Sequence, residues 1–202
     1  MAYLTQLCAL SKGATAEVKP DIPRLHQVFG KNAAEVLEQI LGVMNGLYAF
    51  EDALHVFSDW DTEDELGIYK WNNMYCWRIH YSPFVPKGVC FAEDLFGNQF
   101  VIGDRAILLF DAESGKCELF ASTLEEWARR VIREPASTGF ATALAWREAC
   151  GPLRRGQRLV PKVPFLRGKD IPIANLEAVD GVEAMQTRGA RARAIFGKGP
   201  IA

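Results

Sequence analysis

Hydrophobic and polar positions alternate most clearly between Cys90 and Arg130. Phe91 to Phe96 leads into Gly97-Asn98, a pair that tolerates positive φ and so predicts a tight hairpin turn. Gln99 to Ile102 is aromatic and β-branched. Ala106 to Phe110 is a near-continuous apolar run, the pattern of a central strand covered on both faces. Lys116 to Ala121 alternates like a strand with one wet face. Ser122-Thr123-Leu124-Glu125 reads as a capping box that opens a helix. That helix carries Leu124, Trp127, Ala128 and Val131 on one side and stops at Pro135. The stretch predicts a meander of three or more strands, followed by a helix that packs back on the sheet. Glu93 and Asp94 sit beside the hairpin turn, where exposure is expected.

Upstream, residues 1–20 mix small, polar and apolar side chains and read as a loosely ordered lead segment. Asp21 and Pro23 open a short helix over 22–29, and Gly30 separates it from a second. In the second, Asn32 is the expected N-cap, and Val36, Leu37, Ile40, Leu41 and Met44 form one apolar face. Asn45-Gly46 is the expected stop. Ala53 to Phe57 reads as a first strand. The aromatic span Leu66 to Tyr81 fits one or two short helices ending before Pro83.

Downstream, Thr138 is placed to cap a helix over Phe140 to Cys150, with Leu144 and Ala145 inward. Arg154 to Leu166 is basic, proline-punctuated and hence extended. Asn175 to Met185 reads as a last helical element. Gln186 to Ala202 is small, basic and glycine-rich, and is expected to fray. The chain is read as one domain over 21–185, with a lead segment (1–20) and a basic tail (186–202). Its predicted class is α+β, a central antiparallel or mixed sheet flanked by helices.

Composition adjusts this picture only slightly. With 202 residues, 49% of them hydrophobic, a single core is affordable. A formal charge of −2 gives no global attraction to nucleic acid or to an anionic membrane. No apolar run approaches the roughly 18 residues of a spanning helix, and the start lacks the basic region of a signal peptide. Five cysteines, at 8, 76, 90, 117 and 150, form no CxxC pair and read as reduced thiols, which predicts a cytosolic protein.

Three segments together resemble the SUKH superfamily. They are Asn45-Gly46-Leu47-Tyr48-Ala49-Phe50-Glu51-Asp52-Ala53-Leu54, then Phe91 to Phe100 (FAEDLFGNQF), then Ser122-Thr123-Leu124-Glu125-Glu126-Trp127. Val160 to Phe165 and Asn175 to Asp180 look like the C-terminal extension of one bacterial branch, so the likeness spans roughly 32–185. It implies an α+β fold with a meander sheet. It also implies an immunity protein of interbacterial competition, one that binds and blocks a toxin. The other roles left open are a regulatory scaffold binding a host protein or peptide and, last, a hydrolase with dispersed catalytic groups. The motifs are structural, so the resemblance assigns no catalytic residue.

Chemistry is sparse along the chain. Cys76 and His80 would share a helix face, but two ligands make no zinc site. No phosphate-binding glycine loop or nucleophile-elbow motif occurs, and no metal, cofactor or catalytic set is expected. Arg154, Arg155, Arg158, Lys162, Arg167 and Lys169 form a basic stretch, yet few aromatics are interleaved, and a nucleic-acid partner is disfavoured. The stronger candidate is Asp59-Trp60-Asp61-Thr62-Glu63-Asp64-Glu65, five carboxylates in seven residues around one tryptophan. Asp59, Trp60, Asp61, Glu63, Asp64 and Glu65 are the expected partner-binding residues. They suit a basic cognate toxin directed at nucleic acids, with Trp60 as anchor. The competing reading is a plain solvated loop.

Overall fold

A computed structural model describes residues 2–163 and 171–197. Among these, six α-helices and nine strands follow in chain order: α1 (Ala2–Ala9), β1 (Ser11–Ala14), α2 (Ile22–Leu41), β2 (Leu47–Ala49), β3 (Leu54–Val56), α3 (Ile68–Trp71), β4 (Val89–Asp94), β5 (Gln99–Ile102), β6 (Ile107–Phe110), β7 (Cys117–Ala121), α4 (Leu124–Arg133), α5 (Phe140–Cys150), β8 (Gln157–Pro161), β9 (Leu176–Asp180) and α6 (Gly181–Phe196). The predicted α+β class is what the chain adopts. Strands β1 to β7 pair with their sequence neighbours into one antiparallel meander, and β8 and β9 form a separate two-stranded sheet. No helix among the described residues is long and apolar enough to cross a membrane.

The predicted strands from Phe91 to Ala121 pair in the expected order, with Gly97 at φ 76 in the hairpin. The helix after them starts one residue later than its capping box suggested. Thr123 is the N-cap and accepts from Glu126 N–H, while Glu126 accepts from Ser122 N–H. Glu125 is thereby released for another task, described below. Trp127 packs edge-on against Phe91 and Phe100, which seats α4 on one face of the sheet. Helix α2 runs through both predicted helices, with Asp21 as its N-cap and Gly30 at φ 76 marking a kink. It ends at Leu41, so Asn45-Gly46 is not its stop.

Several expectations are corrected. The lead segment is ordered over residues 2–20: α1 buries Leu4, Leu7 and Cys8, and β1 pairs with β2 as an edge strand. Its anchor is Glu125, whose carboxylate accepts from Tyr3 N–H at 2.7 Å and Leu4 N–H at 3.4 Å and so caps the start of α1. The tail does not fray at Gln186. Helix α6 continues to Phe196 and buries Arg188, Gly189 and Ala192. Small residues suit that face because Gly189 lies directly on the Tyr81 ring. Ordered elements therefore occur on both sides of 21–185, and Lys198 to Ala202 lie outside the described residues. Residues 176–180 are a strand and not a helix. In α5, Ala143 is buried and Leu144 is exposed, the reverse of the expected face. Cys8 and Cys90 are buried thiols, whereas Cys117 and Cys150 are exposed.

Replacing Glu125 with alanine should uncap α1 without disturbing the sheet. Hydrogen exchange at amides 3–10 is expected to accelerate while β4–β6 stay protected, with a global loss of about 1 kcal/mol.

Candidate functional site

The site begins with four cross-strand partners. Tyr48 on β2 faces His55 on β3, His55 faces Glu93 on β4, and Glu93 faces Gln99 on β5. Alternation along each strand puts these four polar side chains in one row across a single face of the sheet. All four are buried, Glu93 to 2% exposure and Gln99 to 0%. The expectation that Glu93 and Asp94 are exposed is thus wrong for both. Adjacent residues of a strand point to opposite faces, and both faces of this strand are covered.

Glu93 is the hub of the row. Its Oε1 accepts from Arg158 Nε at 2.7 Å and lies 3.1 Å from His55 Nδ1, and its Oε2 accepts from Gln99 Nε2 at 3.0 Å. Gln99 Oε1 in turn accepts from the Trp71 indole N–H at 2.8 Å. Burial alone would raise the Glu93 carboxyl, but the Arg158 guanidinium and the His55 hydrogen bond outweigh it and hold it at about 2. Arg158, read from sequence as part of a basic stretch, is 1% exposed on β8 and lies over the Tyr48 ring at 5.6 Å. Burial pulls the His55 imidazole down, further than its carboxylate neighbours raise it. The ring is therefore neutral at pH 7. Because Glu93 is acceptor-only, the ring proton belongs on Nδ1, and Nε2 is left as a bare acceptor.

Glu65 reaches this row from the acidic loop. Its Oε2 accepts from the Tyr48 hydroxyl at 2.6 Å and lies 3.7 Å from His55 Nε2, while its Oε1 is buried with no hydrogen-bond partner. Tyr48 and His55 are stacked at 4.3 Å, and the ring series continues through Phe57 and Trp71 to Trp77. The rings of His55, Phe57 and Trp71 line a cavity of about 230 Å³ together with the carboxylates of Glu65 and Glu93. Glu63, Asp64, Asp180 and Val182 stand around it.

The six residues expected to bind a partner are thus divided by the fold. Trp60 is 58% exposed, and Glu63 and Asp64 are exposed with it. Asp59 is buried, accepting from the Asn45 amide at 2.6 Å and from Asp21 N–H at 2.7 Å. Asp61 is half-buried, accepting from Gly67 N–H and paired with Lys70 at 3.0 Å. Glu65 belongs to the buried network. The loop is neither a plain solvated loop nor a uniform acidic surface. Two glycines let neighbouring backbone close on it: a Cβ at Gly46 (φ 74) would fall 2.8 Å from Ser58 N, and one at Gly156 (φ 74) would fall 2.6 Å from Asp64 O. The Asn45-Gly46 pair serves this loop from below.

Tyr48, His55, Glu93, Gln99 and Arg158 were missed as site residues. One signal was available: Glu93-Asp94 are consecutive charges in a strand with no wet face. Among the described residues, no group of three or more His, Cys, Asp and Glu side chains is placed to hold a metal ion.

The network predicts a non-additive cycle. Arg158→Met should cost about 3–5 kcal/mol, because it strands a buried carboxylate, and Arg158→Met with Glu93→Gln should recover much of that loss. The acid limb of stability should change with it. Glu93, with its folded pKa held down, stabilises the fold above its unfolded value of about 4.5, and this is lost as pH falls toward about 2. His55, also depressed, adds to the loss below about 6.5. Chemical denaturation from pH 7 to pH 3 should show a shallower decline in the double variant than in the parent.

No family model matches the chain, and no curated protein matches it. The fold is similar to the crystal structure of Atu4351 from Agrobacterium tumefaciens, with a TM-score of 0.58 over 93% of this chain and 88% of that one, at 14% sequence identity. At that identity the likeness is one of fold.

Proposed function

We propose that the chain is a non-catalytic cytosolic binding protein of the SUKH-like immunity type, which docks and blocks a basic, nucleic-acid-directed protein toxin. The observation that carries this reading is Trp60. A large ring left 58% exposed on a loop is costly to keep in water and well suited to anchor a partner. Glu63 and Asp64 are exposed carboxylates of the same loop, which favours a cationic surface and speeds its approach. The bonds of Asp59, Asp61 and Glu65 hold the loop in shape before any partner arrives, and a preformed loop loses little entropy on docking.

The hydrolase reading has one observation in its favour, the His55–Glu93 pair at the floor of a cavity. Thr62 is the single hydroxyl or thiol side chain among the residues lining it, and its Oγ1 is occupied as a cap for Glu65 N–H. Binding is the better-supported function.

Co-expression with the product of the adjoining gene, followed by pull-down and growth rescue, tests the proposal. Trp60→Ala is expected to weaken capture by about 2 kcal/mol or more. Glu63→Lys with Asp64→Lys should slow association most at low salt. Both variants should keep their stability within about 0.5 kcal/mol of the parent, since neither touches the buried network. Undiminished capture and rescue in both would overturn the proposed surface.

A further inference from the structure

The cavity beneath the acidic loop is lined by a buried acceptor that has no donor. Glu65 is 7% exposed, and its Oε1 has no hydrogen-bond partner although it is buried. Such a carboxylate oxygen is expensive unless something donates to it. His55 Nε2 lies 3.7 Å from the same carboxylate. Formal charges point the same way: Glu93 is paired with Arg158, while Glu65, Glu63, Asp64 and Asp180, which also line the cavity, are carboxylates too. Lys70, the basic side chain of the loop region, is already paired with Asp61.

We infer that this cavity is a recognition site for a single cationic nitrogen group, and that its occupant is a lysine or arginine side chain of the docked protein, received by Glu65. Size supports the choice. A cavity of about 230 Å³ falls below the roughly 300–1,000 Å³ of pockets for drug-sized ligands. It has room for one side chain. Phe57 and Trp71 provide aromatic walls for an alkyl stem, with cation–π attraction available to the head. A donor there would satisfy the orphaned Oε1 and offset the excess negative charge. The inference rests on the docking surface proposed above for its macromolecular source, but the pocket itself is testable without any partner.

The test is NMR titration of the full chain with n-butylguanidinium, n-butylammonium and n-butanol, and with acetylated, amidated Gly-Arg-Gly and Gly-Lys-Gly. The cationic probes are expected to shift the His55 ring and the amides of 62–66 saturably, and butanol is not. The peptides should bind at least as tightly as the free cations. Glu65→Gln, which keeps an acceptor for Tyr48, should weaken binding at least tenfold. Val182→Phe, which adds bulk at a lining position without changing charge, should do the same. Equal response to butanol, no response to any cation, or unchanged affinity in folded Glu65→Gln would overturn the site. If Glu65→Gln does not fold, Val182→Phe decides, and retained binding in it overturns the site. Binding of free cations with exclusion of both peptides would overturn the assignment to a protein side chain. Failure of the docking surface would instead appear as loss of partner capture by none of the Trp60, Glu63 and Asp64 variants, with these titrations unaffected.

Discussion

The arrangement depends on one buried ion pair, Glu93 with Arg158, 2.7 Å apart and almost without solvent. Taking two charges out of water costs several kcal/mol per ion, and the polar contacts around Glu93 offset part of that cost, while Arg158 Nη2 stays buried without a hydrogen-bond partner. His55 and Gln99 complete Glu93, Trp71 completes Gln99, and the Tyr48 ring lies beneath the guanidinium. Each belongs to a different strand or helix. The pair therefore ties β8 to the middle of the meander, and it dictates where the segment after α5 can lie. A hydrophobic substitute would hold the layers together as well, but it would not specify this register or leave polar groups at the cavity floor.

That constraint reaches the surface through Glu65 and Asp59. Both come from a span that looks like a charge run, yet both are buried in bonds to β2, to Asn45 and to the backbone before α2. Their fixation is what makes Trp60, Glu63 and Asp64 a shaped surface. The cost of holding carboxylates inside is borne by the sheet, and the exposed ring and charges are left available for association. Fold stability and proposed binding share residues here, which is why substitutions at Asp59 or Glu65 would confuse the two and substitutions at Trp60 would not.

Much of the fold was legible because it is local. The strands from Phe91 to Ala121 are adjacent in sequence, and their turns and capping residues carry their own signals. What was not legible depends on partners far along the chain. Arg158 meets Glu93 across 65 residues, and Arg188 donates to the Phe96 carbonyl across 92. Read in isolation, both look like solvated charges. The continuation of helix α6 beyond Met185 was missed because close packing on Tyr81 selects Gly189 and burial selects Ala192, small residues that also mark a disordered tail. Helix α1 was missed because its cap is supplied by Glu125 from α4. The acidic span was correctly singled out as unusual, but composition could not separate its buried carboxylates from its exposed ones.

The most direct measurement is the protonation state of His55, read from the nitrogen shifts of ¹⁵N-labelled imidazole in the folded protein at pH 7. The structure predicts a neutral ring with its proton on Nδ1 toward Glu93 and a bare Nε2, persisting well below the ordinary histidine pKa of about 6.5. An imidazolium at pH 7, donating to both Glu93 and Glu65, would contradict it. The cavity floor would then be charge-balanced, with no acceptor left for a cation.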